Sequence, residues 1–464
     1  MSSRLGLPAL IGLVLVLPSC SGPSETAGSS DRPSIILLTI DTLREDHMSR
    51  GGHVRETTPY LDRLARESAY FSQCYANSSW TLPSMLSMFS SLSPPVFGIK
   101  DGVIEVLKEF RPNPDNVGQQ DVLAEYLSDE HLMLPEVLSE HGYYTAGYST
   151  NANLTVDQGF SQGFELFDQT SCMWKTAECA LGTARNWLDG YLANENGDPF
   201  FLWIHLFDPH FTVFGAPPVY EPPPGYESLF RPAGGAPVLL SDDERTRRDY
   251  DRRIRYMDDR LAEFFEALRS KGILDDVILV VAADHGEEFN EDSRWGHSRS
   301  VRNTLVHVPL ILRFPDAHRA GVIVTTVRNL DVAPTLLDYL GIAIPESMEG
   351  QSLLPAVDGE PFQPGPVYGD TRRFNLDLRF LIDPTLDRKL VLDLAGGRRQ
   401  LFGMSDDARE LHDLASAEPD RADSMEAFLR QAIAEMESRS IRVETTRTMT
   451  DEELEALRSL GYVN

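Results

Sequence analysis

Three apolar runs in this 464-residue chain end abruptly in acid or imidazole. Ser34 to Ile40 (SIILLTI) runs into Asp41, Phe200 to Phe207 (FFLWIHLF) into Asp208-Pro209-His210, and Val277 to Ala283 (VILVVAA) into Asp284-His285-Gly286. Continuous Val, Ile and Leu suit strands covered on both faces, and open parallel sheets bind ligands at the carboxyl ends of their strands. Three separate pieces of chain thus deliver Asp and His to one sheet edge. Two bare carboxylates at adjacent strand ends repel each other, and a divalent cation between them removes that cost. Asp41, Asp284 and His285 are therefore candidate metal ligands. Oxygen donors with one imidazole suit calcium, magnesium, manganese or zinc, and the residues do not choose among them. The plainer alternative is that each Asp caps the helix after its strand.

The stretch SSWTLPSMLS, residues 78 to 87, supplies a possible nucleophile. Pro83 fits a first helical turn, where its missing N–H is harmless, so Thr81 falls at or near the N-cap of an apolar helix. Capping alone explains a threonine there and is worth about 1 kcal/mol. The same helix end offers free N–H groups and the positive end of a dipole to a tetrahedral anion. A hydroxyl there, touching a cation, can lose its proton and attack phosphorus or sulfur.

The elements that position these residues alternate between strand and helix, which predicts a doubly wound α/β domain with a mainly parallel central sheet flanked by helices. TTPYLDRLARESAYF has helical spacing, and Asp251 to Lys271 carries one apolar stripe with Gly272 as its stop. After about residue 360, RFLID, RKLVLDL and RQLFGM read as short strands with AGGR as a turn, followed by a helix near Asp420 to Met436. Thr450 and Glu453 form a capping box before LEALRSLGY. The expected organisation is a signal over 1–19, a tether over 20–33, a catalytic domain over 34–360 and a small α+β subdomain over 361–464. Stretches 99–122 and 212–247 read as loops.

The chain carries 71 acidic against 42 basic residues, a net charge of −29, which disfavours a nucleic-acid partner. The apolar run Leu5 to Leu17 is too short to span a bilayer and fits a secretory signal. The end Leu17-Pro18-Ser19-Cys20 resembles a bacterial lipobox, implying cleavage before Cys20, a lipid on that cysteine as the membrane contact, and an exported, cell-envelope location; plain secretion or an inner-membrane anchor is the alternative. Cys172 and Cys179 are near enough in sequence to form a disulfide in an oxidising compartment, while Cys74 reads as a small apolar residue.

In order, IDTLREDHMS, TTPYLDRLARESAYFSQCYANSSWTLPSMLS, FFLWIHLFDPHF, AADHGEEF, WGHSRSVRNTLVHVPLILRFP, LDVAPTLLDYLGI and EGQSLLP resemble the blocks of the sulfatase family, part of the alkaline phosphatase superfamily. The likeness runs from about residue 34 to the closing EALRSLGY. It implies an alkaline-phosphatase-like fold, one bound divalent metal, and hydrolysis or transfer at sulfate or phosphate esters of anionic small molecules or glycans. It places Asp41, Asp284 and His285 on metal positions, His210 on a histidine that contacts the substrate anion, and His297 where a Lys or His binds the anion and assists the leaving group. Asp208 is a further candidate ligand.

Three departures stand against the family pattern. Its nucleophile motif is Cys or Ser, x, Pro, Ser, Arg; here Thr81 replaces the first residue and Met85 the last, and Thr42 replaces the second Asp of the usual pair. Threonine cannot become the formylglycine that attacks sulfate esters, and threonine nucleophiles of the superfamily act on phosphorus. Three readings follow: a hydrolase using Thr81, a headgroup transferase, or a catalytically inactive, lipid-anchored binder of sulfated or phosphorylated glycans.

Overall fold

The computed structural model describes residues 32–100, 120–194, 197–210, 225–226, 228–230, 241–315 and 319–449. The expected signal, Cys20, the expected Thr450–Glu453 capping box, EALRSLGY and most of the two expected loops lie outside these.

Each of the three apolar runs forms a strand. The central sheet uses β1 (Ser34–Ile40), β2 (Ala69–Tyr75), β3 (Tyr144–Tyr148), β4 (Leu166–Asp168), β5 (Phe200–Leu206), β6 (Val277–Ala283), β7 (His307–Arg313) and β8 (Gly321–Ile323). Their order is β8-β2-β7-β6-β1-β5-β3-β4, with Val327–Arg328 pairing with β2 off that path. β1 runs parallel to both β5 and β6, and β3 runs parallel to β4 and β5. β7 alone on the path is antiparallel to its neighbours. Central β1, β5 and β6 are buried nearly throughout, as continuous apolar runs require. Ile40 is level with Leu206 on one side and Ala283 on the other. This register brings the residues after all three strands to one edge.

The helices flanking the sheet include α1 (Pro59–Arg66), α2 (Thr81–Ser90), α3 (Ala177–Ala193), α4 (Asp242–Ser270) and α5 (Val332–Tyr339). Two expectations need correcting. The helix expected across TTPYLDRLARESAYF stops at Arg66, and Ala69 onward belongs to β2. The alternation of AYFSQCY and its pairing with β7 override the helical spacing. α4 begins nine residues earlier than the apolar stripe does, within the expected 212–247 loop. Ser241 accepts from the Glu244 N–H at 3.2 Å while Glu244 reaches back to the Ser241 N–H at 3.1 Å, and this capping box fixes the start. Gly272 follows α4 at φ +75°, the stop expected of it.

Beyond the central sheet, β9 (Val367–Thr371), β10 (Leu378–Asp383), β11 (Arg388–Asp393) and β12 (Arg398–Gly403) form an antiparallel sheet in sequence order, followed by α6 (Pro419–Ser438). Gln120–Tyr126 pairs with Val443–Met449, so residues 120–122, expected in a loop, belong to a strand. Cys172 and Cys179 are disulfide-bonded, with Cα atoms 5.7 Å apart, and Cys74 is a buried free thiol. Among the described residues no helix is long and apolar enough to cross a membrane.

Candidate active site and metal centre

Asp41 leaves the end of β1 with its backbone N–H bonded to the Leu206 carbonyl at 2.8 Å. Thr42 then turns the chain at φ +56°, a conformation few β-branched residues adopt. Its N–H donates to Asp284 Oδ1 at 3.2 Å and its carbonyl accepts from the Tyr250 hydroxyl at 2.5 Å. From the end of β6, Asp284 Oδ1 also accepts from the His285 N–H at 2.8 Å. Gly286 closes this corner: a Cβ there would fall on the Thr304 carbonyl oxygen, so only glycine fits.

Each carboxylate spends one oxygen on the protein and keeps the other bare. Asp41 Oδ2 accepts from Asn151 Nδ2 at 2.5 Å and lies 3.3 Å from His205 Nε2. Asp41 Oδ1 and Asp284 Oδ2 are buried without a hydrogen-bond partner. Both bare oxygens approach His285 Nε2, at 3.7 and 3.5 Å, and Thr81 Oγ1 lies 3.3 Å from the same nitrogen. The other ring nitrogen, Nδ1, is 2.8 Å from the Gly286 carbonyl. Donation there leaves a lone pair on Nε2. Two bare carboxylate oxygens, the Thr81 hydroxyl and one imidazole lone pair thus converge in a buried place, with only the Thr81 proton to share among them. This donor set fits a divalent cation.

The electrostatics carry the same strain. Burial pushes the Asp284 carboxyl up to about 6, and Asp41 adds to the rise against the pull of His285. Burial acts on Asp41 in the same direction, but the His205 hydrogen bond and the charges of His210 and His285 outweigh it and hold that carboxyl below its ordinary range. Burial lowers His285, yet Asp284 and Asp41 carry it above its usual value. Two carboxylates at one site cannot both stay ionised cheaply unless a cation joins them.

Thr81 is not the cap. It is the first residue of α2, Trp80 holds the extended N-cap position, and no side chain caps the end. The hydroxyl instead accepts from Asn151 Nδ2 at 3.3 Å and faces His285. All of α2 is buried, and it carries no charged side chain, its polar members being hydroxyls alone. Met85 therefore packs into the core, where the family pattern has arginine. Ser84 Oγ donates to the Asp284 carbonyl at 2.5 Å and accepts from Asn329 Nδ2 at 2.8 Å, tying α2 to the end of β6.

His210 and His297 stand beside this cluster. The His297 ring is 4.7 Å from that of His285 and 5.0 Å from that of His210. His297 Nδ1 is 3.0 Å from Glu287 Oε1. His210 stacks on Phe207 at 4.2 Å. Burial lowers His210 to about 4, with His297 and His285 adding to the fall against Asp41 and Glu287. Asp208 is turned elsewhere: its Oδ1 accepts from the Ala177 N–H at the start of α3, at 3.0 Å. It satisfies the first N–H of the helix before its strand, not of the helix after it.

Three residues escaped the sequence reading. Asn151 follows β3, a strand too short to stand out, and carries the bonds to Asp41 and Thr81. His205 sits inside an apolar run; its register opposite Thr39 is the signal that marks it. Trp203 Nε1 donates to Thr39 Oγ1 at 2.9 Å, so the Thr39 hydroxyl donates to His205 Nδ1 at 2.8 Å, and His205 Nε2–H points to Asp41. Glu287 adjoins Asp284-His285-Gly286 in sequence, where an acid after the glycine reads as solvated surface; it is 1% exposed.

A mainly parallel sheet with acids, imidazoles and a hydroxyl gathered at its carboxyl edge defines an alkaline-phosphatase-like hydrolase of sulfuric or phosphoric esters. Residues 33–342 match the Sulfatase family model, and the chain belongs to the sulfatase family. It is 22% identical to an ulvan-active sulfatase of Formosa agariphila, over 75% of this chain and 70% of that one. It is 24% identical to a choline-sulfatase of Rhizobium meliloti, over 71% of this chain and 72% of that one. In fold it is similar to Ps i-CgsB in complex with k-i-k-neocarrahexaose, with TM-score 0.67 and 18% identity over 87% of this chain and 93% of that one. It is also similar to the phosphonate monoester hydrolase SpPMH of Silicibacter pomeroyi, with TM-score 0.65 and 18% identity over 87% and 95%.

Proposed function

We propose that the chain hydrolyses anionic sulfate or phosphate esters of small molecules or glycans, with Thr81 as nucleophile and one divalent cation held by Asp41, Asp284, His285 and Thr81. One observation carries this reading: two bare carboxylate oxygens, an imidazole lone pair and the Thr81 hydroxyl meet in one buried place. When bound, the cation supplies Lewis-acid polarisation and lowers the pKa of an oxygen it touches.

The chain's own residues supply the rest. Asn151 orients the Thr81 oxygen and one oxygen of Asp41 with a single amide. The relay from Trp203 through Thr39 and His205 holds Asp41 from behind. The Thr81 oxygen attacks sulfur or phosphorus, the bond to the ester oxygen breaks, and its electron pair leaves with that oxygen. His210 and His297 stand where the anion and the leaving oxygen need stabilising. Water then cleaves the threonine ester and restores the hydroxyl.

Threonine at position 81 turns the preference towards phosphorus, since it cannot supply an aldehyde hydrate. The relatives bear the names of sulfatases, and a fold neighbour that of a phosphonate monoester hydrolase. The same proposal places the enzyme outside the cytoplasm, anchored through Cys20; the Cys172–Cys179 disulfide is supported by an oxidising compartment.

The test is a panel of aryl sulfates, phosphomonoesters, phosphodiesters and phosphonates, each with calcium, magnesium, manganese and zinc. Turnover of at least one ester is expected, and Thr81→Ala should reduce it on the order of 10³–10⁶-fold. Full activity in that variant removes Thr81 as nucleophile; inertness of the wild type towards every pair returns the chain to a binding role.

A further inference from the structure

We propose that a cavity lined by Arg44, Arg247, Arg302 and Arg409 binds a small tetrahedral oxyanion, phosphate or sulfate, at a place separate from the candidate active site. The cavity is about 530 Å³, and the acids Asp46 and Glu291 share its wall with the four arginines. None of Asp41, Thr81, His210, Asp284, His285 and His297 lines it. Four arginines against two acids leave two positive charges in excess. His47 and His307 also line the cavity, but burial is the first cause that lowers each of them, so both count as neutral. In a chain of net charge −29, a cavity of net positive charge runs against the surrounding field and favours an anion.

The acids are engaged by two of the arginines. Arg44 Nη2 pairs with Asp46 Oδ2 at 2.7 Å and Arg44 Nη1 with Glu291 Oε1 at 3.0 Å, while Arg247 Nη2 lies 3.5 Å from the same Glu291 oxygen. Arg302 and Arg409 are held differently. Arg302 Nη1 donates to the Glu410 backbone carbonyl at 2.9 Å, a partner without a full charge. The Glu410 carboxylate faces Lys389 Nζ at 2.7 Å and accepts from the Asn303 N–H at 2.8 Å. The side chain of Arg409 is exposed and, among the described residues, makes no ion pair or hydrogen bond.

The chemistry of the lining selects the ligand. A guanidinium presents N–H groups in a fixed fork, which matches pairs of phosphate or sulfate oxygens. A doubly charged oxyanion also equals the excess of two charges, where chloride cancels half of it. The four arginines come from four parts of the chain: the segment after β1, helix α4, the segment after His297, and the segment after β12. An oxyanion bonded by them fastens the C-terminal segment to the catalytic ones.

Arg44 connects this cavity with the candidate active site. Its Nη1 donates to the Glu287 carbonyl at 2.9 Å, and the Glu287 carboxylate lies 3.0 Å from His297 Nδ1. Its Cγ packs so closely on Gly286 that a Cβ there would meet it at 2.9 Å. An ion in the cavity thus lies one side chain away from the corner that carries Asp284 and His285. The same class of anion is released by the ester hydrolysis proposed above, but the charge of the cavity is independent of that reading.

The oxyanion can arrive as the free ion or as the charged end of a larger ester, and the test separates the two. Full-length Thr81→Ala protein, which spares an ester, is titrated in a calorimeter with inorganic phosphate and with glucose 6-phosphate, at an ionic strength held constant with potassium chloride. Crystals soaked in selenate locate the site by selenium anomalous scattering. A selenate peak between Arg302 and Arg409 is expected. Arg302→Gln combined with Arg409→Gln should remove that peak and weaken phosphate binding there by roughly tenfold or more. Should the double variant fail to fold, Arg409→Gln alone, at an exposed position, serves in its place. Phosphate binding at least as tight as that of glucose 6-phosphate assigns the cavity to the free ion; tighter binding of the ester assigns it to a charged group on a larger molecule. A cavity without a selenate peak overturns the site, as does a peak that persists in the glutamine variants or an affinity that vanishes once chloride is matched. A selenate peak in the cavity of a wild type that hydrolyses no ester upholds the site and overturns the hydrolase; ester hydrolysis without that peak does the reverse.

Discussion

The Thr81 hydroxyl does no structural work for α2, and this separates its chemistry from its fold. A threonine that caps a helix costs about 1 kcal/mol when cut to alanine. Thr81 makes no cap bond, so Thr81→Ala should move the urea midpoint by less than that cost while turnover collapses. Comparison of the two variants Thr81→Ala and Thr81→Ser sharpens the point: serine keeps the oxygen and should keep measurable turnover. A midpoint that falls with activity in both would make residue 81 a packing residue. The neighbouring carboxylates give a second prediction. Asp41 and Asp284 each leave an oxygen bare, and a ligand at about 100 times its dissociation constant stabilises the folded state by about 2.7 kcal/mol. Chelation should therefore lower the melting temperature, and restoring the cation should recover it. Asp284→Asn relieves the like-charge contact, so its melting temperature should respond less to the chelator. A wild type indifferent to chelation would show that these carboxylates hold no ion.

At the scale of elements, the ends of β1, β5 and β6 were legible because each continuous apolar run stops on a polar residue, and parallel register then forces Asp41, Asp284 and His210 to one edge. Asn151 was not legible, because β3 is short and its neighbours Ser149 and Thr150 look like any loop. His205 was hidden by a pattern that reads one polar residue in a strand as noise. Thr81 reads from the sequence as a cap, a nucleophile or both, because N-cap preference and nucleophile position share the same residue types. The turn Glu45–His47 after β1 offers a prediction about the scaffold behind the site. Burial pushes Glu45 up to about 8 and Asp46 and Asp62 add to the rise, against the Tyr70 hydroxyl that donates to its Oε1 and the charge of Arg50. The folded chain thus holds a proton that the unfolded chain releases near pH 4.5. Stability from this group is complete at low pH and is lost as pH rises from about 4.5 through about 8. Glu45→Gln keeps an acceptor for Tyr70 and removes the titration. Urea midpoints measured from pH 5 to 9 should decline less steeply in the variant; parallel curves would show that Glu45 stays ionised in the fold.

At the scale of the whole molecule, a buried ion pair is one of the links between the antiparallel sheet and the segment beside the active site. Lys389, on β11, is 0% exposed and lies 2.7 Å from Glu410 Oε1, itself 1% exposed. The same ammonium donates to the Val301 carbonyl at 2.7 Å and to Asn303 Oδ1 at 2.9 Å. The Asn303 N–H donates in turn to Glu410 Oε2 at 2.8 Å. Residues 301–303 lie between His297 and β7, so this knot pins the C-terminal sheet to the segment that carries a proposed site residue. Burial lowers Lys389, and Glu410 pulls it back without restoring its ordinary value. A pair this deep costs more to break than it contributes intact: removing one partner of a buried pair costs about 3–5 kcal/mol, whereas replacing both with apolar groups is often neutral. Lys389→Ala should therefore lower stability by about that amount and reduce turnover through the displaced 297–303 segment. Lys389→Met combined with Glu410→Leu should recover most of the stability. Turnover then decides what the pair is for. If it returns with stability, the polar pair serves only to fasten the two sheets; if it stays low in a well-folded double variant, the bonds to Val301 and Asn303 set the position of His297 from the far side of the molecule.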